Sequence, residues 1–384
     1  MCISPRRVKN PNKGASRDPT KGINFLKDTV STYINVPCGV CPECLMMRQM
    51  NIVQRLNCEY QFGLLFFCTL TYNKECLPVL TCSNGRTVPY ADISDLQNMF
   101  KRLKKDNLLT RPFRYFAVSE FGSEKHRPHF HVMFILPRYP DDDDFKIFNL
   151  ERHLFKTVLS QWKRNVATRV RKKDGKVVPD NVHPVYKSLC TYVRHVYRNG
   201  TVKSNYELEF VRPRSFFQNE DCVSFYVSKY MLKPSDFVRK LQQGLRLNLS
   251  EDEYESVWKI VKPHCLISHG LGLASQWDED EHSFIPSEEA KEFVRRSVQL
   301  SKASYSSPRY LASNGSTYPL SRYYYRFGDV FTVQDAIDFF EKSDRKDNDG
   351  MSFDTMSYTH RVVTPEKFQQ RLDLIDKHEK LNYE

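Results

Sequence analysis

The stretch Arg127-Pro128-His129-Phe130-His131-Val132-Met133-Phe134-Ile135-Leu136 decides the interpretation of this 384-residue chain. Residues 130–136 are apolar and rich in strand-forming side chains, which predicts a β-strand. Side chains alternate between the two faces of a strand, so His129 and His131 share one face and Phe130 points to the other. Two imidazoles one strand repeat apart predict a metal site, and a pair of strand histidines without a ligand is the alternative.

Two further segments frame the histidine strand. Residues 66–72, with the sequence Phe-Phe-Cys-Thr-Leu-Thr-Tyr, are β-branched and aromatic and predict a second strand. Residues 226–236 lack strand alternation and predict the last turns of a helix that stops before Pro234, because the residue before proline avoids the α region. On such a helix Tyr226 and Tyr230 are four residues apart and share a face.

Lys229 and Lys233 form a second pair with the same spacing beside the two tyrosines. A tyrosine can attack phosphorus, and a neighbouring cation favours the phenolate that makes the attack. The segment therefore indicates transesterification of a phosphodiester. The alternative is an ordinary amphipathic helix with core tyrosines and solvated lysines.

In this order the three segments resemble the motifs of the HUH endonucleases, which are rolling-circle replication initiators. The resemblance is greatest to the replication initiators of the Microviridae, in particular gokushovirus-like single-stranded DNA phages. Residues 67–72 are similar to the first motif, 127–131 to the metal-binding second motif, and 226–233 to the third motif in its two-tyrosine form. The resemblance touches most of the chain and extends to residues 1–5, 36–44, 268–272 and 318–324.

The resemblance implies that His129 and His131 bind a divalent cation, Mg²⁺ or Mn²⁺. A third ligand is expected from the strand predicted just before the histidine strand, which ends at a glycine turn and would pair antiparallel with it. Glu120 is our choice for this ligand, and His126 and Glu124 are the alternatives. The ion would act as a Lewis acid on the scissile phosphate.

The resemblance also implies that Tyr226 or Tyr230 is the nucleophile, which forms a 5′-phosphotyrosyl bond and frees a 3′-hydroxyl for the host polymerase. Because the pKa of tyrosine in water is about 10, Lys229 and less directly Lys233 are expected to favour the phenolate, and Lys233 is also expected to contact DNA. Two tyrosines allow one to hold the 5′ end while the other cuts the regenerated origin, after which the ends are rejoined. No Walker-type glycine loop is recognisable, so a host helicase is the expected source of unwinding.

The charge favours a nucleic-acid partner, since 58 Lys and Arg oppose 46 Asp and Glu and give a formal net charge of +12. Two predicted hairpins concentrate basic residues, one over 169–176 and one over 192–200. The second interleaves aromatic and basic residues, as a surface for single-stranded DNA requires, although such residues also protect edge strands. The residues expected to contact DNA in these hairpins are Arg171, Lys172, Arg194 and Arg198.

The chain has 11 cysteines, an odd number. No signal peptide is recognisable and no apolar run approaches the roughly 20 residues of a membrane span. We therefore expect a protein of the host bacterial cytoplasm with no membrane partner, where disulfides are rare. Cys38, Cys41 and Cys44 have C-x₂-C-x₂-C spacing and, with Cys2 as the fourth ligand, predict a structural Zn²⁺ site. An iron–sulfur cluster and three reduced cysteines are the alternatives.

We expect three regions in an α+β chain. Residues 1–60 would form a cysteine-rich amino-terminal region with the zinc site, residues 61–240 an HUH-endonuclease core, and residues 241–384 a mostly helical region. The core is expected to have a central antiparallel sheet with helices on one face and the active site on the other.

The predicted function is replication initiation. The protein would nick single-stranded phage DNA at the origin through a 5′-phosphotyrosine intermediate and rejoin the ends in rolling-circle replication. One alternative is a relaxase or transposase of a plasmid or insertion element. Another is a non-catalytic zinc-containing DNA-binding protein, which would bind DNA without metal-dependent cleavage.

Overall fold

The structure is a computed structural model. It describes residues 6–9, 32–38, 42–105, 107–122, 125–171, 173, 176–190, 192–196, 202–206, 208–211, 236–278, 280, 283–305, 307–311, 317–332, 334–336 and 338–339. The chain divides into two compact units, one of Met1–Asn51 with Glu292–Glu384 and one of Ile52–Lys291. The three-region division at residues 60 and 240 stays a prediction.

The secondary structure alternates between strands and helices. The helices are α1 (Pro42–Phe62), α2 (Ile93–Lys105), α3 (Asp144–Gln161), α4 (Asp236–Asn248), α5 (Glu251–Val261), α6 (Glu288–Ser304) and a 3₁₀ turn (Tyr324–Arg326). The first strands are β1 (Arg6–Lys9), β2 (Tyr33–Val36), β3 (Gly63–Leu70), β4 (Val79–Thr81), β5 (Thr87–Pro89), β6 (Arg114–Phe121), β7 (Pro128–Pro137), β8 (Lys163–Asn165), β9 (Thr168–Val170) and β10 (Val177–Pro179). The others are β11 (Tyr186–Ser188), β12 (Tyr192–Val196), β13 (Val202–Tyr206), β14 (Leu208–Val211), β15 (Cys265–Ile267), β16 (Gln276–Asp278), β17 (Ser283–Ile285), β18 (Arg309–Leu311) and β19 (Thr317–Pro319).

A five-stranded antiparallel sheet forms the centre of the unit Ile52–Lys291, in the order β14-β3-β7-β6-β15. The histidine strand β7 lies in the middle, between β3 and β6. In this register His131 lies opposite Thr69 on one side and Val118 on the other, while His129 lies opposite Glu120. The predicted α+β fold with a central antiparallel sheet is therefore confirmed, and so are the predicted strands on both sides of the histidines.

One face of the sheet is buried under α2 and α3. The even-numbered side chains of β7, over 130–136, point to this face and pack in a single apolar cluster. Leu96 and Met99, three residues apart on α2, pack into the same cluster. The helix α3 begins after Asp143, whose side chain accepts a hydrogen bond from the backbone N–H of Lys146. These two helices form the layer that the sequence predicts.

The helix α1 covers part of the opposite face. Ile52 and Leu56, about one helical turn apart, pack with Phe67 of β3 and Met133 of β7. The odd-numbered positions of β7, which include both histidines, belong to this face. The predicted layer of helices on one face is thus joined by one helix on the face that carries the histidines.

A third apolar cluster joins α4 and α5 to the hairpin β4–β5 and to the end of β6. Phe121, the last residue of β6, packs with Val238 and Leu241 of α4. The hairpin turns at Asn84-Gly85 as predicted, with Gly85 at φ 77°, a conformation that favours glycine. This cluster fixes the start of α4 next to the strand that precedes the histidines.

The unit Met1–Asn51 with Glu292–Glu384 contains two short antiparallel ladders, β1–β2 and β18–β19. Its buried Asp335 forms ion pairs with Arg295 and Lys302 of α6. Burial raises the pKa of this carboxyl, but the hydrogen bonds from Lys302, Thr332 and Arg295 outweigh burial and lower the pKa to about 2. Among the described residues, no helix has both the length and the apolar character needed to span a bilayer.

Candidate metal centre

Glu120, His129 and His131 form a cluster at one end of the central sheet. The pairing of β6 with β7 places Glu120 directly opposite His129, and His131 follows two positions along the same face. The nearest ligand atoms of the three side chains all lie within 4.8 Å of one another. Two strands of a rigid sheet therefore hold all three groups, without help from a loop.

The distances within the cluster are short. The Oε2 atom of Glu120 lies 3.0 Å from Nε2 of His131 and 3.6 Å from Nε2 of His129. The two Nε2 atoms are 3.0 Å apart. The three donor atoms thus face a common point, as ligands of one small ion do.

The other nitrogen of each imidazole has its own partner. Nδ1 of His129 lies 3.1 Å from the backbone oxygen of Arg127, which can only accept, so in the neutral ring Nδ1 carries the proton. Nδ1 of His131 lies 3.1 Å from the hydroxyl of Thr69. Contacts of this kind fix the ring orientation of metal-binding histidines and leave the Nε2 lone pair for the ion.

Packing fixes the position of His131 further. Its ring stacks on Phe67, with centroids 5.4 Å apart and planes inclined by 17°. The exposed fraction of the side chain is 8% for His131 and 14% for His129, but 25% for Glu120. The cluster is therefore anchored in the sheet on the histidine side and open to solvent on the carboxylate side.

The Glu120 carboxyl is held as an anion. Burial alone raises its pKa, but the hydrogen bonds with His129 and His131 outweigh burial and lower the pKa to about 2. At neutral pH this side chain is consequently a carboxylate. Two imidazole nitrogens with one carboxylate oxygen suit a divalent transition metal such as Mn²⁺, and a carboxylate with open positions for water also suits Mg²⁺.

The two alternative third ligands have different outcomes. His126 lies outside the cluster, with its Nδ1 atom 3.1 Å from the backbone oxygen of Gly122 and its ring stacked on Phe237 at 4.0 Å. Glu124 lies outside the described residues. The structure therefore brings the preferred residue, Glu120, together with the histidines, and the identity of the metal ligands stays a prediction.

The predicted nucleophile segment is outside the described residues, which exclude 212–235 and with them Tyr226, Lys229, Tyr230 and Lys233. Both ends of this segment are described. Before it, β14 pairs with β3, so that the backbone of Glu209 lies opposite Thr69. After it, Phe237 of α4 packs on Phe121 at 5.2 Å and on His126 at 4.0 Å.

The structure describes part of the predicted DNA-contacting set. Arg171 is exposed, and its backbone N–H donates to the oxygen of Lys176 at 2.8 Å next to the antiparallel ladder β9–β10. Arg194 lies on β12, opposite Ser204 in the antiparallel ladder β12–β13. Both predicted hairpin ladders are confirmed. The residues of this set outside the described part of the chain are Lys172, Arg198 and Lys233.

Three residues of functional interest escaped the sequence analysis. Thr69 lies in the first predicted motif, and period-2 alternation alone would have placed it on the face of His131. Tyr186 is 44% exposed, and the cations of Lys163 and Arg102 lie 4.8 and 5.4 Å from its ring centre. These groups are distant in sequence and are joined by the pairing of β8 with β11, which no local pattern reveals.

The cysteine cluster is described in part. Cys38 and Cys44 lie with their sulfur atoms 3.9 Å apart. Cys2 and Cys41 lie outside the described residues. The zinc site therefore stays a prediction at this point.

Comparisons with known proteins agree with the location of these features. Residues 65–235 match the model of a family of replication-associated proteins that takes its name from ORF2. The replication-associated protein ORF2 of Spiroplasma virus 4 is 26% identical over 150 residues, which cover 37% of this chain and 46% of that protein. The chain thus spans less than half the length of this curated relative. No solved structure matches the chain. The chain is similar to viral replication-associated proteins, over a range that contains the histidine strand and the two-tyrosine segment.

The cluster makes a prediction about metal affinity. Glu120→Gln removes the negative charge and one ligand oxygen while keeping the shape of the side chain, so we expect the affinity for Mn²⁺ to fall by at least about 10-fold. Isothermal titration calorimetry with MnCl₂ measures the effect. Glu75→Gln, at an exposed carboxylate on the surface, is the matched control and should bind as the unmodified protein does. Equal affinities in all three proteins would show that Glu120 is not a ligand.

Proposed function

We propose that this protein initiates rolling-circle replication of a small viral DNA, as an HUH endonuclease of the kind found in the Microviridae. It would nick a single strand at the origin and rejoin the ends. The observation that carries the proposal is the Glu120–His129–His131 cluster, which sits on adjacent central strands within the range that is similar to replication-associated proteins.

The chemistry proposed for this chain is transesterification. The phenolic oxygen of Tyr226 or Tyr230 attacks the scissile phosphorus, and the bond from phosphorus to the 3′-oxygen breaks. The phenol loses its proton and the departing 3′-oxygen gains one, so the products are a 5′-phosphotyrosine and a 3′-hydroxyl. The reverse reaction rejoins the strand without an external energy source, because the phosphotyrosyl bond conserves the phosphodiester.

Glu120, His129 and His131 would hold Mg²⁺ or Mn²⁺ in this scheme. The bound ion would supply Lewis acidity to the phosphate oxygen and orient the phosphate for in-line attack. The partly exposed carboxylate side of the cluster is the side that a phosphate can approach. The contacts from Thr69 and Arg127 to the histidines keep both rings in position during the reaction.

The ends of the tyrosine segment support its role. The strand β14 joins the sheet next to β3, at the level of Thr69, whose hydroxyl contacts His131. The start of α4 is held by the stack of Phe237 on His126, three residues before His129. A segment fixed at both ends to the strands around the cluster is well placed to deliver a side chain to it.

Two tyrosines give the proposed enzyme a complete cycle. One would hold the 5′ end while the host polymerase extends the 3′-hydroxyl and a host helicase unwinds the duplex. The other would then cut the regenerated origin, and the first end would be joined to the new 3′-hydroxyl. Lys229, between Tyr226 and Tyr230 in sequence, is the residue proposed to favour the phenolate.

The basic ladders are proposed to guide the strand. Arg171 and the exposed Tyr186, with its flanking cations, combine phosphate contacts with a stacking surface, as single-stranded DNA binding requires. Binding through phosphate contacts weakens steeply with salt. The remaining residues proposed for this surface are Lys172, Arg194, Arg198 and Lys233.

The function is tested by cleavage of labelled single-stranded oligonucleotides tiled across the replicon that encodes the chain, with and without Mn²⁺. We expect metal-dependent cleavage of one oligonucleotide by the unmodified protein. Combining His129→Ala with His131→Ala should lower the cleavage rate on the order of 10³-fold, because several kcal/mol of charge stabilisation are lost. Circular dichroism would verify that this variant is folded.

The control for the histidine variant is His153→Ala. His153 is exposed on α3 and its Nε2 atom contacts the backbone oxygen of Leu108, away from the cluster. Its cleavage rate should match that of the unmodified protein. DNA binding without cleavage of any tiled oligonucleotide, in Mg²⁺ and in Mn²⁺, would refute the proposed activity and favour a non-catalytic DNA-binding protein.

A further inference from the structure

The amino-terminal cysteines stand apart from the metal centre and from the proposed cleavage reaction. Cys38 follows β2 by two residues, and Cys44 lies in the first turn of α1. Their sulfur atoms are 3.9 Å apart. A disulfide requires about 2.05 Å, so the two sulfurs are near one another without a covalent bond.

This separation matches two thiolates on one tetrahedral ion. With zinc–sulfur bonds of about 2.3 Å, tetrahedral geometry places a pair of sulfur ligands about 3.8 Å apart. In a cubane iron–sulfur cluster each cysteine binds a different iron, which keeps the sulfurs further apart. The geometry of Cys38 and Cys44 therefore favours a single ion over a cluster.

The ladder β1–β2 supplies a second, independent observation. It pairs Arg6 with Val36 in antiparallel register, at the end of the ladder nearest Cys38. The chain before Arg6 therefore leaves the ladder on the same side as the chain that leads into the cysteine loop. If the same register continues, position 2 lies opposite position 40, between Cys38 and Cys41 in sequence.

We propose that Cys2, Cys38, Cys41 and Cys44 bind one structural Zn²⁺ ion that joins β1, β2 and the start of α1. The helix α1 begins at Pro42, directly after Cys41, and the positive end of a helix favours a thiolate at its start. Proline at the first position of the helix lacks the N–H that would otherwise go unpaired there. The ion would hold together a region whose only described strand pairing is one four-residue ladder.

This site is independent of the proposed cleavage reaction, and its test does not use activity. The full chain is purified in the presence of Zn²⁺ without a chelator, and its metal content is measured by elemental analysis. We expect about one zinc ion per chain bound at the cysteines. Replacement of Zn²⁺ by Co²⁺ should give the intense visible bands of tetrahedral thiolate coordination, with sulfur-to-metal charge transfer in the near ultraviolet.

Variants locate the ion. Cys44→Ser and Cys2→Ser should each lose the cobalt spectrum of the unmodified protein, whereas Cys265→Ser, at a cysteine on β15, should keep it. The combination of His129→Ala and His131→Ala should also keep it, which separates this ion from the one proposed at the metal centre. Since the cobalt spectrum is recorded on the unmodified protein, a variant that fails to fold leaves the main result intact.

Three results would overturn the proposal. Protein that contains no zinc and shows no thiolate–cobalt bands would refute the site. Iron with acid-labile sulfide in the purified protein would identify a cluster instead. An unchanged spectrum in Cys44→Ser would show that the metal is held elsewhere.

Discussion

The variant that combines Tyr226→Phe with Tyr230→Phe is expected to lose covalent attachment to DNA completely. Phenylalanine keeps the ring and removes the hydroxyl, so the nucleophile disappears while the shape of the segment is preserved. Loss of a nucleophile typically lowers the rate by roughly 10⁴-fold or more. Affinity for single-stranded DNA should change by less than about 1 kcal/mol, because it depends mainly on phosphate contacts and two hydroxyls contribute little.

The measurement is a denaturing gel with end-labelled DNA and Mn²⁺, paired with fluorescence anisotropy for affinity. Tyr139→Phe is the matched control, since Tyr139 is an exposed tyrosine that packs beside Arg111 away from the cluster. Each single variant should still form an adduct in a first cleavage if the other tyrosine can act, and should fail to complete cleavage and rejoining. Attachment that persists in the double variant would rule out both tyrosines as the nucleophile.

Glu59→Leu is expected to destabilise the unit Ile52–Lys291 by roughly 3–5 kcal/mol, the cost of leaving a buried charge without its partner. Glu59 on α1 is fully buried and forms an ion pair with the buried Arg114 of β6. Its other oxygen accepts hydrogen bonds from the backbone N–H groups of Gly272, at 2.5 Å, and Ala274, at 3.2 Å. One carboxylate thus ties α1, the sheet and the loop after β15 together.

The same loop explains part of the segment that the sequence analysis had noted at 268–272. Gly270 and Gly272 have φ angles of 76° and 113°, which favour glycine and turn the loop so that its N–H groups face Glu59. The side chain of Arg55 donates to the backbone oxygen of Leu271 at 2.9 Å and holds the loop from the helix side. The segment therefore contributes to stability through backbone contacts.

Urea unfolding monitored by tryptophan fluorescence tests this prediction, because Trp162 is fully buried in the cluster under the sheet. Glu75→Gln is the control, since its ion pair with Lys187 is exposed and should matter little. Adding Arg114→Met to Glu59→Leu should recover part of the loss, because no buried charge then remains unpaired. An unfolding midpoint for Glu59→Leu that equals that of the unmodified protein would contradict the role given to the buried ion pair.

The centre of the fold was predictable because its signals are local. Alternation over 128–137 gives the strand and the shared face of His129 and His131, and this depends only on the geometry of a strand. The preceding strand ends at a glycine and is joined to β7 by a short connection, so the antiparallel register that sets Glu120 opposite His129 follows from proximity in sequence. The choice of Glu120 over His126 rested on the same argument.

The rest depends on contacts between distant parts of the chain. The pairing of Glu59 with Arg114 joins a helix to a strand that no periodicity relates, and the loop that completes it comes much later. His126 adopts a φ of 49°, unusual for a residue other than glycine, and this turn directs its ring to Phe237. Neither the backbone conformation nor the partner is encoded in neighbouring residues, so only the folded chain reveals how the start of α4 is held near the metal centre.

Peptide mapping of the covalent adduct tests the central claim most directly. The unmodified protein is incubated with Mn²⁺ and the tiled oligonucleotide that it cleaves, digested with protease and nuclease, and examined by mass spectrometry. The account predicts a nucleotide joined through its 5′-phosphate to the phenolic oxygen of Tyr226 or Tyr230, and no such peptide when the metal is withheld. Cleaved DNA with no modified peptide, or a nucleotide attached to a different residue, would contradict it.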